Sequence, residues 1–229
     1  MRQVIMAVLL AIIVALPATA QKKPPMKTAA DSASYAVGID LGRRVRADSL
    51  PLTTDLIMAG LRDGMAGKSV MSDEQIAAAI GGLQRQIQAR EQAKFAVIAE
   101  RNRSAGEAFL AENGKRSTVM TLPSGVQYEV VTPGTGAKPA AADRVKVHYT
   151  GMLIDGKIFD SSVQRGEPVV FGLGEVIRGW TEGLQEMQEG GKYKLYIPSD
   201  LAYGPQGRGE VIPPSATLVF EVELIKVNP

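Results

Sequence analysis

Residues 145 to 220 contain most of the side chains that could form a binding or reactive site. Nine of the chain's 12 aromatic residues lie at or beyond Tyr128, and the only tryptophan is Trp180. The stretch contains these short motifs: Val147-His148-Tyr149-Thr150-Gly151, Phe159-Asp160-Ser161-Ser162, Val176-Ile177-Arg178-Gly179-Trp180, Ala202-Tyr203-Gly204 and Ile212-Pro213-Pro214. Because aromatic side chains dominate the energetics of cores and ligand pockets, this half of the chain is predicted to form an aromatic-lined core or pocket.

The residue types argue against most covalent, metal and phosphate chemistry. The chain has no cysteine, which excludes thiolate nucleophiles, zinc–thiolate sites and a bacterial lipid anchor. The only histidine, His148, has the parity of the outward face of a predicted strand, which argues against a Ser-His-Asp triad. No Asp-x-Asp-x-Asp-Gly calcium loop occurs. Gly134-Thr135-Gly136 and Gly172-Leu173-Gly174 are too short to cradle a phosphate, and neither is followed by the Gly-Lys-Ser/Thr that a phosphate loop requires. Glu182, Glu186 and Glu189 could imitate paired catalytic acids, but on a short helix such residues more often form a solvated face.

The second half of the chain is predicted to be an α+β domain. After the turn signal Pro123-Ser124-Gly125, the apolar pattern changes from helical to alternating. The alternating segments are Val126 to Val130, Val145 to Tyr149, Tyr193 to Ile197 and Leu218 to Leu224. One short helix, from about Gly179 to Met187, fits among these strands. We therefore expect a twisted antiparallel sheet with one buried face that wraps this helix, with the ligand site between them.

The first 20 residues have the features of a cleaved signal peptide. Arg2 supplies a positive charge, residues 4 to 16 are an unbroken apolar run, and Ala18-Thr19-Ala20 provides small residues for cleavage. The alternative is a short membrane anchor, but about 13 apolar residues fall short of the ~20 that span a bilayer. The mature protein is therefore predicted to be exported, without stable membrane insertion. Residues 21 to 28 are predicted to form a linker.

The charge distribution argues against nucleic-acid binding and suggests two domains. Without Arg2, the 26 basic residues fall to 25, against 24 acidic ones. Residues 21 to 120 carry a net charge of +4 and residues 121 to 229 a net charge of −3. This change supports a boundary near residue 120.

Three helices are predicted before that boundary. Their expected spans are Asp31 (as the cap) to about Val45, Thr53 or Thr54 to just before Gly67, and Ser72 to about Glu112. The third has the clearest start, because Ser72 and Gln75 form a capping box, and Gly114 is its predicted stop. At about 1.5 Å per residue, it would be a rod of about 60 Å.

The start of the third helix predicts a homodimer. Its apolar residues have the 4-3-4 spacing of a helix–helix seam: Ile76, Ile80, Leu83 and Ile87. Because two short helices and one seam make a thin core for a single chain, residues 29 to 90 are predicted to be a helical dimerisation domain. The alternative is a monomeric three-helix domain. Beyond Arg90 charged residues dominate, so residues 91 to 120 are predicted to be a solvated helical stalk and linker.

Residues 121 to 229 resemble the FK506-binding-protein (FKBP) type of peptidyl-prolyl cis-trans isomerase. The motifs that carry the resemblance occur in order: Val147-His148-Tyr149-Thr150-Gly151, Gly156-Lys157-Ile158-Phe159-Asp160-Ser161-Ser162, Val176-Ile177-Arg178-Gly179-Trp180, and Ile212-Pro213-Pro214 followed by Ala216-Thr217-Leu218-Val219-Phe220. The first half resembles the dimerisation region of the secreted bacterial subgroup that includes the macrophage infectivity potentiators, in helix layout and in Asp31-Ser32-Ala33-Ser34-Tyr35-Ala36-Val37-Gly38. The resemblance implies an FKBP-like domain preceded by an all-α dimerisation domain and a long connecting helix.

The resemblance also implies a proline pocket, although each aromatic residue taken alone could equally be core packing. Its catalytic residues would be Tyr149, Phe159, Asp160, Ile177, Trp180, Tyr203 and Phe220, and its substrate-binding residues Val169, Val176, Val211 and Ile212. Trp180 would be the floor under the proline ring, while the Ile177 amide and the Tyr203 hydroxyl would donate hydrogen bonds to substrate carbonyls. No cofactor or metal is implied. Val169 replaces a rim aromatic of the eukaryotic pattern and residues 206 to 211 also depart from it, so substrate preference is expected to differ there.

The implied function is isomerisation of Xaa-Pro bonds in exported proteins. Rotation about an amide costs ~18 to 20 kcal/mol because it breaks C–N resonance, and a dry aromatic pocket favours the less polar twisted amide. The expected partners are proline-containing unfolded or partly folded polypeptides, a second copy of the chain, and FK506-like macrolides as inhibitors. The expected location is the periplasm, with the outer-membrane surface or secretion as alternatives. The competing function is a dimeric holdase chaperone whose helical arms bind clients.

Overall fold

The computed structural model of the protein describes residues 25–47 and 50–229. The predicted signal peptide, residues 1–20, and the first four residues of the predicted linker lie outside this part of the chain. The chain divides into two compact units between Ile76 and Ala77. Within the described residues, no helix has the length and apolar character needed to cross a membrane.

The first unit contains α1 (Ala29–Ala47) and α2 (Thr54–Met65), and no described side chain of either helix is buried. The prediction that Asp31 caps α1 is wrong, because the cap is Thr28. The Asp31 amide donates to Thr28 Oγ1 at 3.1 Å, and Asp31 Oδ2 accepts from the Thr28 amide at 2.9 Å. This reciprocal capping box starts the helix before Asp31. After α2, Gly67 takes a φ of +65°, the left-handed conformation that commonly ends helices.

Helix α3 (Asp73–Asn113) begins at the predicted capping box and ends before Gly114. The Ser72 amide donates to Gln75 Oε1 at 2.9 Å, and the Gln75 amide donates to Ser72 Oγ at 3.3 Å. These two bonds satisfy amides that the helix itself cannot pair. Most of α3 belongs to the second unit.

The rest of the second unit is an antiparallel sheet with two short helices, so the predicted α+β class is confirmed. Its strands are β1 (Val119–Thr121), β2 (Gln127–Thr132), β3 (Arg144–Leu153), β4 (Ile158–Ser161), β5 (Val169–Gly172), β6 (Lys192–Ile197) and β7 (Leu218–Val227). The helices are α4 (Ser162–Arg165) and α5 (Arg178–Gln185), with 3₁₀ turns at Ser199–Leu201 and Gly204–Gln206. The strand order is β1-β2-β6-β7-β3-β4, and β5 pairs with β3.

One face of the sheet packs against α5 to form the main core. Its fully buried side chains include Val145, Val147, Leu184, Leu195, Leu218 and Leu224. Two glycines let α5 lie directly on β6: a Cβ at Gly179 would be 2.2 Å from Ile197 Cγ2, and one at Gly183 would be 2.9 Å from Leu195 Cδ1. This close approach buries Trp180, which α5 carries, against the sheet.

The opposite face of the sheet is covered by the end of α3. Val119, Tyr196 and Val219 form a second buried cluster, and Phe109 and Leu110 of α3 pack on it. The Phe109 and Tyr196 rings lie 5.9 Å apart between centroids. The sheet is therefore buried on both faces at this end, and the prediction of a single buried face is wrong there.

Polar and small residues fix α3 to the domain. The Asn102 side chain donates to the Pro214 carbonyl at 2.8 Å, and the Asn113 side chain donates to Gln127 Oε1 at 2.9 Å. Gly106 is buried, and a Cβ there would lie 2.2 Å from Thr217 Oγ1. The expectation of a solvated stalk therefore fails for the residues of α3 that dock on the sheet, whereas most other residues from 103 to 118 are exposed. The bounds of the predicted stalk and linker, residues 91 to 120, stay a prediction. Asparagine and glycine add nothing to an apolar stripe, so the pattern of hydrophobic residues could not indicate this contact.

We expect Gly106→Ala to destabilise the second unit by about 1 to 3 kcal/mol, because the new methyl group overpacks against Thr217, which is itself buried. The matched control is Gly82→Ala on the same helix, where the nearest atom to a new Cβ is 3.9 Å away. There the loss of glycine should add about 0.5 to 1 kcal/mol. Urea unfolding followed by Trp180 fluorescence measures both. Equal effects of the two changes would contradict the docking of α3.

Candidate active site

A cavity of about 770 Å³ opens at the edge of the main core. It is lined by Tyr149, Phe159, Asp160, Phe171, Glu175, Val176, Ile177, Trp180, Tyr203, Arg208, Val211, Ile212 and Phe220. The structure thus brings together all seven predicted catalytic residues and three of the four predicted substrate-binding residues. The fourth, Val169, pairs with Val147 at the start of β5 and does not line the cavity.

The floor and walls of the cavity are aromatic rings set edge to face. Trp180 is only 4% exposed, and its ring lies 5.2 Å from those of Tyr149 and Phe220, at interplanar angles of 89° and 81°. Phe159 meets Phe220 at 5.6 Å and 87°, and Phe171 meets Trp180 at 5.5 Å and 88°. Edge-to-face contacts at these distances are favourable and hold each ring in place. The result is a preformed apolar surface at the base of the cavity.

The backbone of β3 passes directly under two of these rings. Gly151 pairs with Asp160 of β4 and with Phe220 of β7. A Cβ at Gly151 would lie 2.6 Å from Phe159 Cζ and 2.8 Å from Phe220 Cε1. Glycine is therefore required at this position for the two wall residues to keep their places.

The one carboxylate among the aromatic walls is held by two partners. Tyr149 Oη donates to Asp160 Oδ2 at 2.5 Å, and Arg165 forms an ion pair with Asp160. Arg165 Nη2 also donates to Tyr149 Oη at 3.1 Å, and its guanidinium carbon lies 5.7 Å from the centre of the Tyr149 ring. Arg165 was not identified from the sequence. It is placed by the four-residue helix α4, whose first turn is capped by Ser161 Oγ and which ends at Gly166 with a φ of +82°.

This arrangement keeps Asp160 ionised and Tyr149 protonated. Burial alone would raise the pKa of Asp160, but the hydrogen bonds from Tyr149 and Arg165 and the charge of Arg165 outweigh it and lower that pKa below its ordinary value. Burial, followed by the hydrogen bond to Asp160, raises the pKa of Tyr149. Neither group is therefore set to exchange a proton near neutral pH. Their geometry favours a structural and electrostatic role over general acid–base catalysis.

A second set of contacts fixes the strand that carries Tyr149. Ser162 Oγ accepts from the Tyr149 amide at 2.8 Å and lies 3.1 Å from His148 Nδ1. His148 is thus a hydrogen-bonded strand residue outside the cavity lining. The serines of the Phe159-Asp160-Ser161-Ser162 motif link β4 and α4 to β3.

Two hydrogen-bond donors flank the aromatic floor. The amide of Ile177, the N-cap of α5, makes no hydrogen bond with any of the described residues. Tyr203 Oη accepts from Arg208 Nη1 at 2.9 Å. Because that oxygen already accepts a bond, its own proton is available for another partner. The cavity thus presents two hydrogen-bond donors beside the ring of Trp180.

The pH dependence of stability tests the Asp160 cluster. Because the folded state lowers the pKa of Asp160, its contribution is present above the unfolded pKa of about 3.9 and is lost as pH falls through the folded pKa. We expect the difference in free energy of unfolding between the wild type and Asp160→Asn to be constant above about pH 5 and to shrink below about pH 4. Urea midpoints from pH 2.5 to 7 measure it.

Arg165→Gln is the matched control for that measurement. Removing the Arg165 cation should make the free energy of unfolding less dependent on the ionisation of Asp160, while Asp160 itself is kept. Stability curves that stay parallel for the wild type and Asp160→Asn at all pH values would show that the cluster does not hold the carboxylate in its charged form.

Among residues 25–47 and 50–229, no group of three or more His, Asp or Glu residues is placed to hold a metal ion. The lining also contains three residues that were not among the predicted site residues: Phe171, Glu175 and Arg208. Arg208 belongs to the loop 206 to 211, where the sequence departs from the family pattern. Glu175 Oε2 accepts from the Gly172 amide at 3.3 Å and lies 3.9 Å from Arg144 Nη1.

Comparisons with known proteins agree with this geometry. The family described as FKBP-type peptidyl-prolyl cis-trans isomerase matches residues 135–225. The family described as the domain amino terminal to FKBP-type peptidyl-prolyl isomerase matches residues 30–130. The two matches together cover most of the chain.

Relatives and solved structures extend the similarity over nearly the whole length. The outer membrane protein MIP of Legionella longbeachae is 40% identical over 204 residues, which cover 89% of this chain and 88% of the relative. The FKBP-type peptidyl-prolyl cis-trans isomerase FkpA of Aeromonas hydrophila is 44% identical over 213 residues, covering 90% and 79%. The crystal structure of FkpA from Escherichia coli is similar with a TM-score of 0.74 and 40% identity, covering 90% of this chain and 99% of that one.

Proposed function

The chain belongs to the FKBP-type peptidyl-prolyl cis-trans isomerase family, and we propose that its cavity isomerises Xaa-Pro bonds of exported polypeptides on the surface of Trp180. As a family member it is a peptidyl-prolyl isomerase. The observation that carries the proposed site is the cavity of about 770 Å³ with an aromatic floor, two flanking donors and the Asp160 carboxylate held by Tyr149 and Arg165. Its dimensions suit a proline with its flanking peptide groups.

Catalysis here depends on the environment of the amide and needs no covalent intermediate. The twisted transition state has lost the conjugation that costs ~18 to 20 kcal/mol to break, and its carbonyl is less polar than that of the planar amide. The rings around Trp180 exclude water and so disfavour the planar form more than the twisted one. The Ile177 amide and the Tyr203 hydroxyl hold the peptide on either side of the proline, so that rotation is confined to the bond between them.

Asp160 acts through Tyr149 in this mechanism. Its charge is balanced by Arg165, and its hydrogen bond fixes the Tyr149 ring against Trp180 at 5.2 Å. The carboxylate therefore positions a wall of the cavity and takes no proton from the substrate.

The direct test is cis-trans exchange of a short Ala-Pro peptide, measured by NMR exchange spectroscopy with and without the protein. Uncatalysed exchange takes about 10 to 100 s, so even weak catalysis is visible. We expect acceleration by the full chain and its suppression by FK506, which would compete for the floor of the cavity. An exchange rate equal to that of the peptide alone would refute the proposed function.

We infer a homodimer through the first unit and the start of α3. Large apolar side chains there are exposed in the single chain: Tyr35 46%, Leu41 43%, Leu61 51%, Ile80 51%. A second copy would cover this surface, which is larger than isolated exposed residues explain. The 4-3-4 spacing of the seam residues Ile76, Ile80, Leu83 and Ile87 is typical of paired helices.

Sedimentation of paired variants tests the dimer. Ile80→Glu places a charge in the predicted seam, whereas Val70→Glu places the same charge at a residue that is 93% exposed and outside the helices. We expect a dimer mass at micromolar concentration for the wild type and Val70→Glu, and a shift towards monomer for Ile80→Glu. A monomer mass for the wild type would contradict the inference. The alternative holdase function stays a prediction.

We also propose export to the periplasm or the outer-membrane surface. The leader-like residues 1 to 20 support export, and a relative is named an outer membrane protein. Fractionation of cells that express the chain with and without residues 1 to 20 tests this. Retention of the full chain in the cytoplasm would contradict it.

A further inference from the structure

Arg208 stands at the rim of the cavity, in a loop that two backbone hydrogen bonds close. The Arg208 amide donates to the Ile212 carbonyl at 2.8 Å and the Ile212 amide donates to the Arg208 carbonyl at 3.2 Å, which closes a small hairpin. Gly207 before it takes a φ of +64°, and a Cβ there would lie 2.2 Å from the Ile212 carbonyl oxygen. Arg208 thus projects from a short ladder opposite Ile212, which is buried in the cavity wall.

The guanidinium of Arg208 rests on Tyr203. Its Nη1 donates to Tyr203 Oη at 2.9 Å, and its Cζ lies 5.3 Å from the centre of the Tyr203 ring. An arginine can only donate, so this bond occupies a lone pair of the hydroxyl and directs the proton elsewhere. Arg208 therefore orients the donor that is proposed to hold the substrate carbonyl.

Of the charged residues that line the cavity, Arg208 is the one that forms no ion pair with a described residue. The other two charged lining residues are carboxylates, and each has a cation: Asp160 pairs with Arg165, and Glu175 lies 3.9 Å from Arg144. Across residues 25–47 and 50–229, no carboxylate forms an ion pair with Arg208, and Tyr203 is the one acceptor of its side chain. Four of its five N–H groups remain available to a ligand.

From these contacts we infer that Arg208 gives this isomerase a preference for peptides with an acidic side chain in one of the two positions flanking the proline, and that it positions Tyr203. The inference rests on the proposed function. An aspartate or glutamate beside the proline would meet the free N–H groups of the guanidinium at the rim, while the proline itself lies on Trp180. Because Arg208 is exposed, the interaction has the strength of a surface ion pair, which corresponds to about a threefold change in kcat/KM.

The test compares Xaa-Pro peptides that differ only in glutamate against glutamine, placed immediately before or immediately after the proline. For the wild type we expect a preference for glutamate of about threefold in at least one of the two positions, expressed in KM and reduced by 0.5 M salt. Arg208→Gln should abolish the preference and, by releasing Tyr203, also lower kcat on the glutamine peptides. Arg208→Lys should restore the preference.

Arg178→Gln is the matched control, because it removes the same charge from an exposed residue near the cavity that pairs with Glu182 and does not line it. This variant should keep the wild-type preference. Equal rates on glutamate and glutamine peptides for the wild type at both positions, or a preference that survives in Arg208→Gln, would overturn the inference. Acceleration of the glutamine peptides by the wild type upholds the proposed function in either case, and its absence would refute both.

Discussion

Replacing Phe159 with alanine is expected to lower kcat/KM for prolyl isomerisation by about tenfold or more, which corresponds to ~1.4 kcal/mol of lost transition-state stabilisation. Phe159 is half-buried on β4, and its ring meets Phe220 at 5.6 Å. Without the ring, the cavity opens to water along that wall and the planar amide is no longer disfavoured. NMR exchange rates at several protein concentrations, on a peptide with alanine before proline, measure the loss.

The control must distinguish a loss of activity caused by the missing cavity wall from one caused by lower stability of the fold. Phe159→Leu keeps much of the apolar volume and should show an intermediate loss, whereas Phe109→Leu makes the same change in the second cluster, where the ring contacts Tyr196 at 5.9 Å outside the cavity. Phe109→Leu should retain full activity even where it lowers stability. Equal activity of Phe159→Ala and the wild type would show that the ring is only packing.

The parts of the fold with strong local signals were predictable from the sequence. The capping box at Ser72 and the alternating residues of β3 and β7 each specify their element by themselves. The strands β1, β4 and β5 have only three or four residues, which is too short for an alternating pattern. Their positions depend on pairing with longer neighbours, so they could be found only once the sheet is assembled.

Of the residues in and around the cavity, some were likewise predictable from the sequence and others were not. The aromatic residues and Asp160 carry the family resemblance because they are distinctive in type and order. Arg165 reaches Asp160 because the four-residue helix α4 turns its side chain toward that carboxylate, and Arg208 reaches the cavity because a closed hairpin places it at the rim. Exposed arginines are common, so nothing in the sequence marks Arg165, and Arg208 is marked only as a member of the departing loop 206 to 211. Conversely, the resemblance assigned Val169 to substrate binding although its β5 position leaves it outside the lining; a substrate role for it stays a prediction.

Leu195→Ala is expected to produce the largest loss of stability, about 3 kcal/mol within the 2 to 5 kcal/mol range of such changes. Leu195 is fully buried on β6, between Tyr128 of β2 and Phe220 of β7. Its Cδ1 would lie 2.9 Å from a Cβ on Gly183, so α5 rests directly on it and the space cannot close without moving that helix. Since α5 carries Trp180, fluorescence during urea unfolding reports the change.

Val131→Ala provides the comparison for Leu195→Ala, because Val131 is 62% exposed on the neighbouring strand β2 and should change stability by no more than about 0.5 kcal/mol. The activity of the folded fraction adds a second readout. If α5 holds the floor of the cavity by resting on Leu195, the remaining folded Leu195→Ala protein should isomerise more slowly, because Trp180 is less firmly held against Phe220. A stability loss below about 1 kcal/mol would mean that the helix can settle into the space.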